Sequence, residues 1–202
     1  MPRALVIHCH PDPDSFTAAI RDRVLARLAE AGAEVRLHDL YAEGFDPVLS
    51  RAEWRGYADS PANRAAVARQ VADLQWCDTL IFIYPTWWHG LPAMLKGWLD
   101  RVLLPGVAFD VAEGGPIRPG LRHVRALGVF TTCGASRWAS FLTGAPGRRT
   151  LLRGLRMLCA RRCRVAQASL YLIDTTTPAQ RAAHLDRVSA AVDRLIAARR
   201  GG

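Results

Sequence analysis

The chain has 202 residues, 50% of them hydrophobic and 22% charged, and a formal net charge of +9. Chains of this size bury roughly 70% of their unfolded surface, which excludes a need for staples and, with this composition, excludes disorder. No apolar run nears the roughly 20 residues of a membrane span, no signal peptide fits ahead of His10, and the five cysteines are scattered, so one domain over residues 1–202 in a reducing cytoplasm is expected, without membrane insertion.

Arg3-Ala4-Leu5-Val6-Ile7-His8-Cys9 predicts a buried parallel strand. A turn-rich loop, His10 to Asp14, follows. Ser15 is placed to cap a helix whose apolar positions Phe16, Ile20, Val24 and Leu28 fall four apart, and Gly32 ends it. Glu34 to His38 reads as a second strand. Asp39 to Ser60 is irregular and longer than most connections in compact domains, which marks it as a stretch with a function. Ser60-Pro61 predicts the start of a helix carrying Val67, Val71 and Leu74.

Asp78 to Tyr84 is the most convincing buried strand, and it runs into Pro85-Thr86-Trp87-Trp88-His89-Gly90. Pro92 opens a helix with Leu95, Trp98, Leu99 and Val102 on one face. Gly114-Gly115-Pro116 and Pro119-Gly120 mark a turn. His123 to Phe130 is a fourth strand, closed by Thr131-Thr132-Cys133-Gly134, and a helix is expected from near Pro146. Arg164 to Ile173 supplies a fifth strand, and Thr177-Pro178 a last helix with Leu185, Val188, Val192 and Leu195 inward. Strands alternating with helices predict an α/β protein: a doubly wound five-stranded parallel sheet with helices on both faces. Ligands of such sheets sit outside the carboxyl ends of the strands, where the strand order reverses. The loops after the first, third and fourth strands are therefore the candidate site.

The first of these loops has neither a dinucleotide glycine fingerprint nor the lysine of a triphosphate loop. It offers a helix N-terminus with Ser15 and Thr17, where N–H groups and the helix dipole suit a phosphate, with His10 as a donor beside it. Plain N-capping by Ser15 explains the same residues without a ligand. In the second loop, Trp87 and Trp88 lie in a turn rather than on a periodic element, so they either stack on a flat heteroaromatic ligand or fill a cleft between helices. The third loop is small and polar, and its backbone donors can approach a ligand edge, with Gly134 tolerating positive φ. Cys133 has no partner histidine at a recognisable spacing. Neither His8-Cys9-His10 nor Cys159 with Cys163 matches a zinc pattern, so no metal is expected.

The basic excess is local. Between Gly114 and Ile173 there are eleven arginines and no acidic residue, leaving −2 for the rest of the chain. Such a face is either solvated surface or attracts anions. The arginines lack the motif context of a nucleic-acid module, and no nucleic-acid partner is expected.

In order along residues 4 to about 136, the segments Ala4-Leu5-Val6-Ile7 with His10 and Ser15-Phe16, Asp39-Leu40-Tyr41-Ala42 with Phe45-Asp46-Pro47, Ser50-Arg51, Pro85 to Gly90, Leu91-Pro92-Ala93 with Leu95-Lys96-Gly97-Trp98, and Thr131-Thr132 with Gly134 resemble the NAD(P)H:quinone oxidoreductases of the flavodoxin-like fold. The resemblance implies a homodimeric flavoenzyme with the flavin near the subunit interface. It places flavin phosphate at His10, Ser15, Phe16 and Thr17, the isoalloxazine along Pro85, Thr86, Trp87 and Trp88, and its pyrimidine edge at Thr131, Thr132, Cys133 and Gly134. It further implies ping-pong hydride transfer from NAD(P)H through flavin N5 to a quinone-like acceptor in the same pocket.

The chain departs from the larger members of that family after the fourth strand. They carry a tyrosine and a histidine that handle flavin charge. Here Cys133 replaces a glycine, Trp138 stands near the tyrosine's place, and no histidine follows before His184. The backbone at Gly134 becomes the expected stabiliser of the reduced flavin. The shorter C-terminal part favours FMN, with FAD as the alternative. Trp138, Arg148 and Arg149 are assigned to the substrate side, the arginines for the phosphates of NAD(P)H. Two other readings of these residues are an electron-carrier flavodoxin, which fits a +9 chain poorly, and a regulatory subunit of a membrane ion-efflux system.

Overall fold

The computed structural model describes residues 1–111 and 115–197. Its frame is a five-stranded sheet of β1 (Arg3–His8), β2 (Glu34–Asp39), β3 (Thr79–Thr86), β6 (Ala126–Cys133) and β7 (Arg164–Leu170), in the order β2-β1-β3-β6-β7 and parallel throughout. Every residue of β6 is buried. Between β3 and β6 in the chain, β4 (Phe109–Val111) and β5 (Ile117–Pro119) pair antiparallel as a separate two-stranded sheet. The expected glycine turn there falls partly at Gly114, outside the described residues.

Alternation along the strands sends the sheet's apolar side chains to two separate cores. Ala4, Val6, Ile81, Ile83 and Phe130 pack with Ile20, Val24 and Leu28 of α1 (Phe16–Glu30) and Val188, Val192 and Leu195 of α8 (Pro178–Ala197). Leu5, Ile7, Leu80, Phe82, Leu127 and Val129 face the other way, against Val71 and Leu74 of α3 (Ala68–Trp76), Leu95 and Trp98 of α4 (Ala93–Val102), and Leu151 and Leu155.

Boundaries differ from expectation where short-range chemistry competes with periodicity. The irregular stretch after β2 contains a short helix, α2 (Arg51–Arg55), held by a capping box in which Ser50 and Glu53 satisfy each other's backbone N–H. Pro61 starts a 3₁₀ turn, Ala62–Val67, and the α-helix begins only at Ala68. The fourth strand starts three residues later than predicted, because His123 turns aside to bond the Leu74 carbonyl at 3.0 Å. A helix does begin at Pro146, as α6 (Pro146–Arg149), but it continues as a π-helical stretch, Thr150–Leu155, before α7 (Arg156–Leu158). It is preceded by an unforeseen α5 (Arg137–Leu142), capped by Ser136. The fifth strand stops at Leu170, short of Leu172 with its φ of +54°.

The strand order reverses between β1 and β3. The carboxyl ends of β1, β3 and β6 therefore open side by side, and the first turn of α1 stands over them.

Candidate active site

These strand ends border a cleft of about 600 Å³. Its walls include His10, Ser15, Phe16 and Thr17 from the first loop, Pro85, Thr86, Trp87 and Trp88 from the second, and Thr132, Cys133 and Gly134 from the third. Thr131, one residue deeper, faces an adjoining narrow gap of about 20 Å³.

At the first loop, Ser15 is the N-cap of α1, and its Oγ accepts from the Ala18 N–H at 3.2 Å. Thr17 is buried, and its hydroxyl meets that of Thr132 at 3.1 Å, tying the helix to β6. Both hydroxyls thus serve the fold. What the helix offers the cleft is its positive end and the N–H groups of Phe16 and Thr17, which precede the first intrahelical bond, from Ala19 to Ser15. The Nδ1 of His10 lies 3.0 Å from both the amide and the carbonyl oxygen of Asp12; in the tautomer that accepts from the amide, Nε2–H is left as a donor. Behind this loop His8 is fully buried against Asp39, Nδ1 to Oδ2 at 2.9 Å, and Arg21 joins the same oxygen at 3.1 Å. Burial holds the His8 pKa below its ordinary value despite that carboxylate, so a neutral, hydrogen-bonded imidazole braces β1 against β2.

The second loop is strained. Trp88 and His89 hold φ of +47° and +61°, a left-handed region unfavourable for side chains of this size, and a bridge from Trp87 to Gly90 closes the turn. Trp87 leans toward His10 with ring centroids 6.2 Å apart, and Trp88 is 96% exposed. At the third loop, Thr131 Oγ donates to the Thr132 carbonyl at 3.1 Å and pairs with Thr86 Oγ at 2.8 Å, while the buried Cys133 thiol sits 3.6 Å from Ser140 Oγ. Gly134 is not among the positive-φ glycines. Its missing side chain matters for space instead, since a Cβ would come within 3.1 Å of an Asp174 carboxylate oxygen.

The cleft also contains residues that no sequence signal indicated: Asp14, Ile173, Asp174 and Arg181. The Arg181 guanidinium, from the first turn of α8, lies 5.6 Å from the Phe16 ring and bonds Thr176 Oγ at 2.9 Å. The residues assigned to the substrate side are dispersed. Arg148 borders the narrow gap next to the cleft, Trp138 stacks on Phe141 at 5.7 Å on the outside, and Arg149 lines none of these spaces. Among the described residues no group of His, Cys, Asp and Glu side chains is arranged to hold a metal ion, and no helix is long and apolar enough to cross a membrane.

A parallel sheet with this strand order and a cleft at its carboxyl edge defines a flavodoxin-like α/β protein. The chain belongs to the flavodoxin-like fold family, whose profile matches residues 2–196. It is similar to an uncharacterised NAD(P)H oxidoreductase of Haemophilus influenzae, 32% identical over 162 residues and 77% of either chain. It is 36% identical over 135 residues to NAD(P)H dehydrogenase [quinone] 1 of Cavia porcellus, covering 57% of this chain and 49% of that one. The chain thus spans about half the length of that relative. Among solved structures, the NAD(P)H:quinone oxidoreductase of Methanothermobacter marburgensis superposes with a TM-score of 0.81 at 26% identity, covering 96% of both chains. An FMN-dependent NADH-azoreductase of Bacillus anthracis, 17% identical, shares the fold with a TM-score of 0.73 over 97% of this chain and all of that one.

Proposed function

We propose that the protein is a flavin-dependent NAD(P)H oxidoreductase that reduces a quinone-like acceptor. One observation carries this reading: a helix N-terminus, an aromatic turn and a small polar turn, from three separate loops, border one cleft of about 600 Å³. That volume is in the usual range for an organic cofactor. The donor set suits FMN. N–H groups of Phe16 and Thr17 and the Nε2–H of His10 would hold the phosphate. Pro85 to Trp88 would flank the ring, and the backbone after Thr132 would meet its pyrimidine edge. Arg181, beside Phe16, supplies a further cation that an FAD pyrophosphate could use, so FAD stays the alternative.

A flavin held by these residues would supply hydride transfer between NAD(P)H and the acceptor. The protein's part is positioning and electrostatics. The Thr17–Thr132 and Thr86–Thr131 hydroxyl pairs lock the first loop to the third and the second to the third. The backbone N–H at Gly134 would meet the negative charge that builds on the reduced ring, a role for which no histidine or tyrosine is available in that turn. The large exposed apolar side chains Trp88, Trp138, Phe141 and Leu142 support a homodimer.

The test is direct. Protein purified without added cofactor, or reconstituted with FMN, carries about one noncovalent flavin per chain and oxidises NAD(P)H with a quinone. A folded preparation that neither carries nor takes up FMN or FAD removes this reading. One that binds flavin without turnover favours the regulatory alternative.

A further inference from the structure

The arginine-rich half contains a second concavity, of about 420 Å³, where the sheet's edge strand β7 meets α8. Arg137, Arg148, Arg187 and Arg194 line it together with His184 and Tyr171, and no carboxylate does. Among the described residues these four arginines have neither an ion pair nor a hydrogen bond. The acidic residues of α8 turn elsewhere: Asp186 pairs with Arg23 and Asp193 with Arg27 of α1. His184 has no exposed surface, and neither of its ring nitrogens has a partner. Its ring lies 6.0 Å from that of Phe16, so it stands between this cavity and the cleft.

Four guanidinium groups gathered without a counter-charge repel one another, and a buried imidazole without a partner costs roughly 1–3 kcal/mol. The first cost is offset by a ligand: an anion with several acceptor oxygens, which arginine forks match.

We infer that this cavity binds a phosphate-bearing anion of diphosphate type, at a site separate from the phosphate end of the cleft. Two sources share that chemistry. One is a free phosphorylated metabolite. The other is the diphosphate of a nicotinamide dinucleotide reaching over from the cleft, past the narrow gap that Thr86, Cys133, Arg148 and Tyr171 line; this second source rests on the proposed function.

Calorimetric titration with inorganic pyrophosphate, with FMN saturating the cleft, tests the site without reading turnover. One saturable site per chain is expected. Arg187→Ala with Arg194→Ala weakens it by about tenfold or more, the loss expected for charge-assisted contacts. Arg161→Ala with Arg162→Ala, exposed in the same half but outside the cavity, changes it by less than about twofold, since only the diffuse field is altered. If the first variant also raises the KM for NAD(P)H, the ligand is the dinucleotide; if KM stays and pyrophosphate binding falls, it is a free metabolite. Absence of saturable binding, or equal losses in the two variants, overturns the assignment whether or not the redox reading stands.

Discussion

Trp88 combines a strained backbone with a side chain that is 96% exposed, a pairing that contributes nothing to the core. Trp87→Ala with Trp88→Ala is therefore expected to leave the fold largely intact while weakening flavin affinity or quinone turnover several-fold, at about 0.5–1.5 kcal/mol per aromatic pair beyond area burial. Unchanged affinity and turnover would place both rings in packing alone. His184 has the opposite character, hidden and titratable. Burial, reinforced by the Arg187 guanidinium, pushes its pKa down to about 4 from 6.5. Between those values the unfolded chain binds the extra proton, so stability is complete above pH 6.5 and is lost as pH falls toward 4, by on the order of 3 kcal/mol. In urea unfolding, the stability gap between the wild type and His184→Gln should narrow over that window; parallel profiles would show that the ring titrates alike in the folded and the unfolded chain. Residues of the two kinds were unequally legible. The tryptophans stood out because a turn has no periodic reason to hold two large rings. His184, Asp174 and Arg181 enter their cavities from the last helix and its approach, more than a hundred residues from the first loop, with no spacing to connect them. Arg181 is, besides, one of many arginines.

At the level of elements, the five strands could be read because long apolar runs bounded by turns leave few alternatives, and parallel pairing buries them on both faces. The short elements could not, because they are made by local hydrogen bonds rather than by periodicity. The Ser50–Glu53 capping box of α2, in a stretch that reads from sequence as irregular, holds the Asp46–Ser50 connection in place: Glu53 accepts from buried Arg101 at 2.6 Å, and Arg101 also bonds the Asp46 carbonyl. That connection lies directly on α4. A Cβ at Gly97 would sit 2.2 Å from the Pro47 carbonyl oxygen, a backbone atom with no room to yield. Helix propensity alone favours alanine over glycine by about 1 kcal/mol, whereas overpacking typically costs about 1–3 kcal/mol. Gly97→Ala is thus expected to destabilise despite its better propensity. Gly154→Ala, with nothing within 4 Å of the added Cβ, should be neutral or stabilising. Denaturant midpoints that move in the same direction for both would show that the loop over α4 is not packed as tightly as its geometry requires.

Across the whole molecule, charge and fold are arranged together. The acid-free segment from Gly114 to Ile173 carries eleven arginines and includes β6 and the edge strand β7, and two of those arginines, Arg137 and Arg148, line the second cavity. A field of this kind raises the local concentration of polyanions and leaves neutral quinones unaffected. The two arginines singled out from sequence part company in space: Arg148 borders the gap between cleft and cavity, and Arg149 lies outside both. Arg148→Ala should therefore raise the KM for NAD(P)H more than Arg149→Ala does, with the KM for the quinone nearly unchanged in each. The wild-type KM for NAD(P)H should itself rise with ionic strength, since exposed charges are screened within roughly 8–10 Å at physiological salt. The penalty of Arg148→Ala should shrink over the same range only in so far as that arginine acts through the general field. A penalty that survives high salt would mark a direct, partly desolvated contact with the dinucleotide, which the half-buried position of Arg148 favours over the exposed one of Arg149. Equal effects of the two substitutions at every salt concentration would reduce both arginines to solvated surface and leave the dinucleotide to be held by the cleft alone.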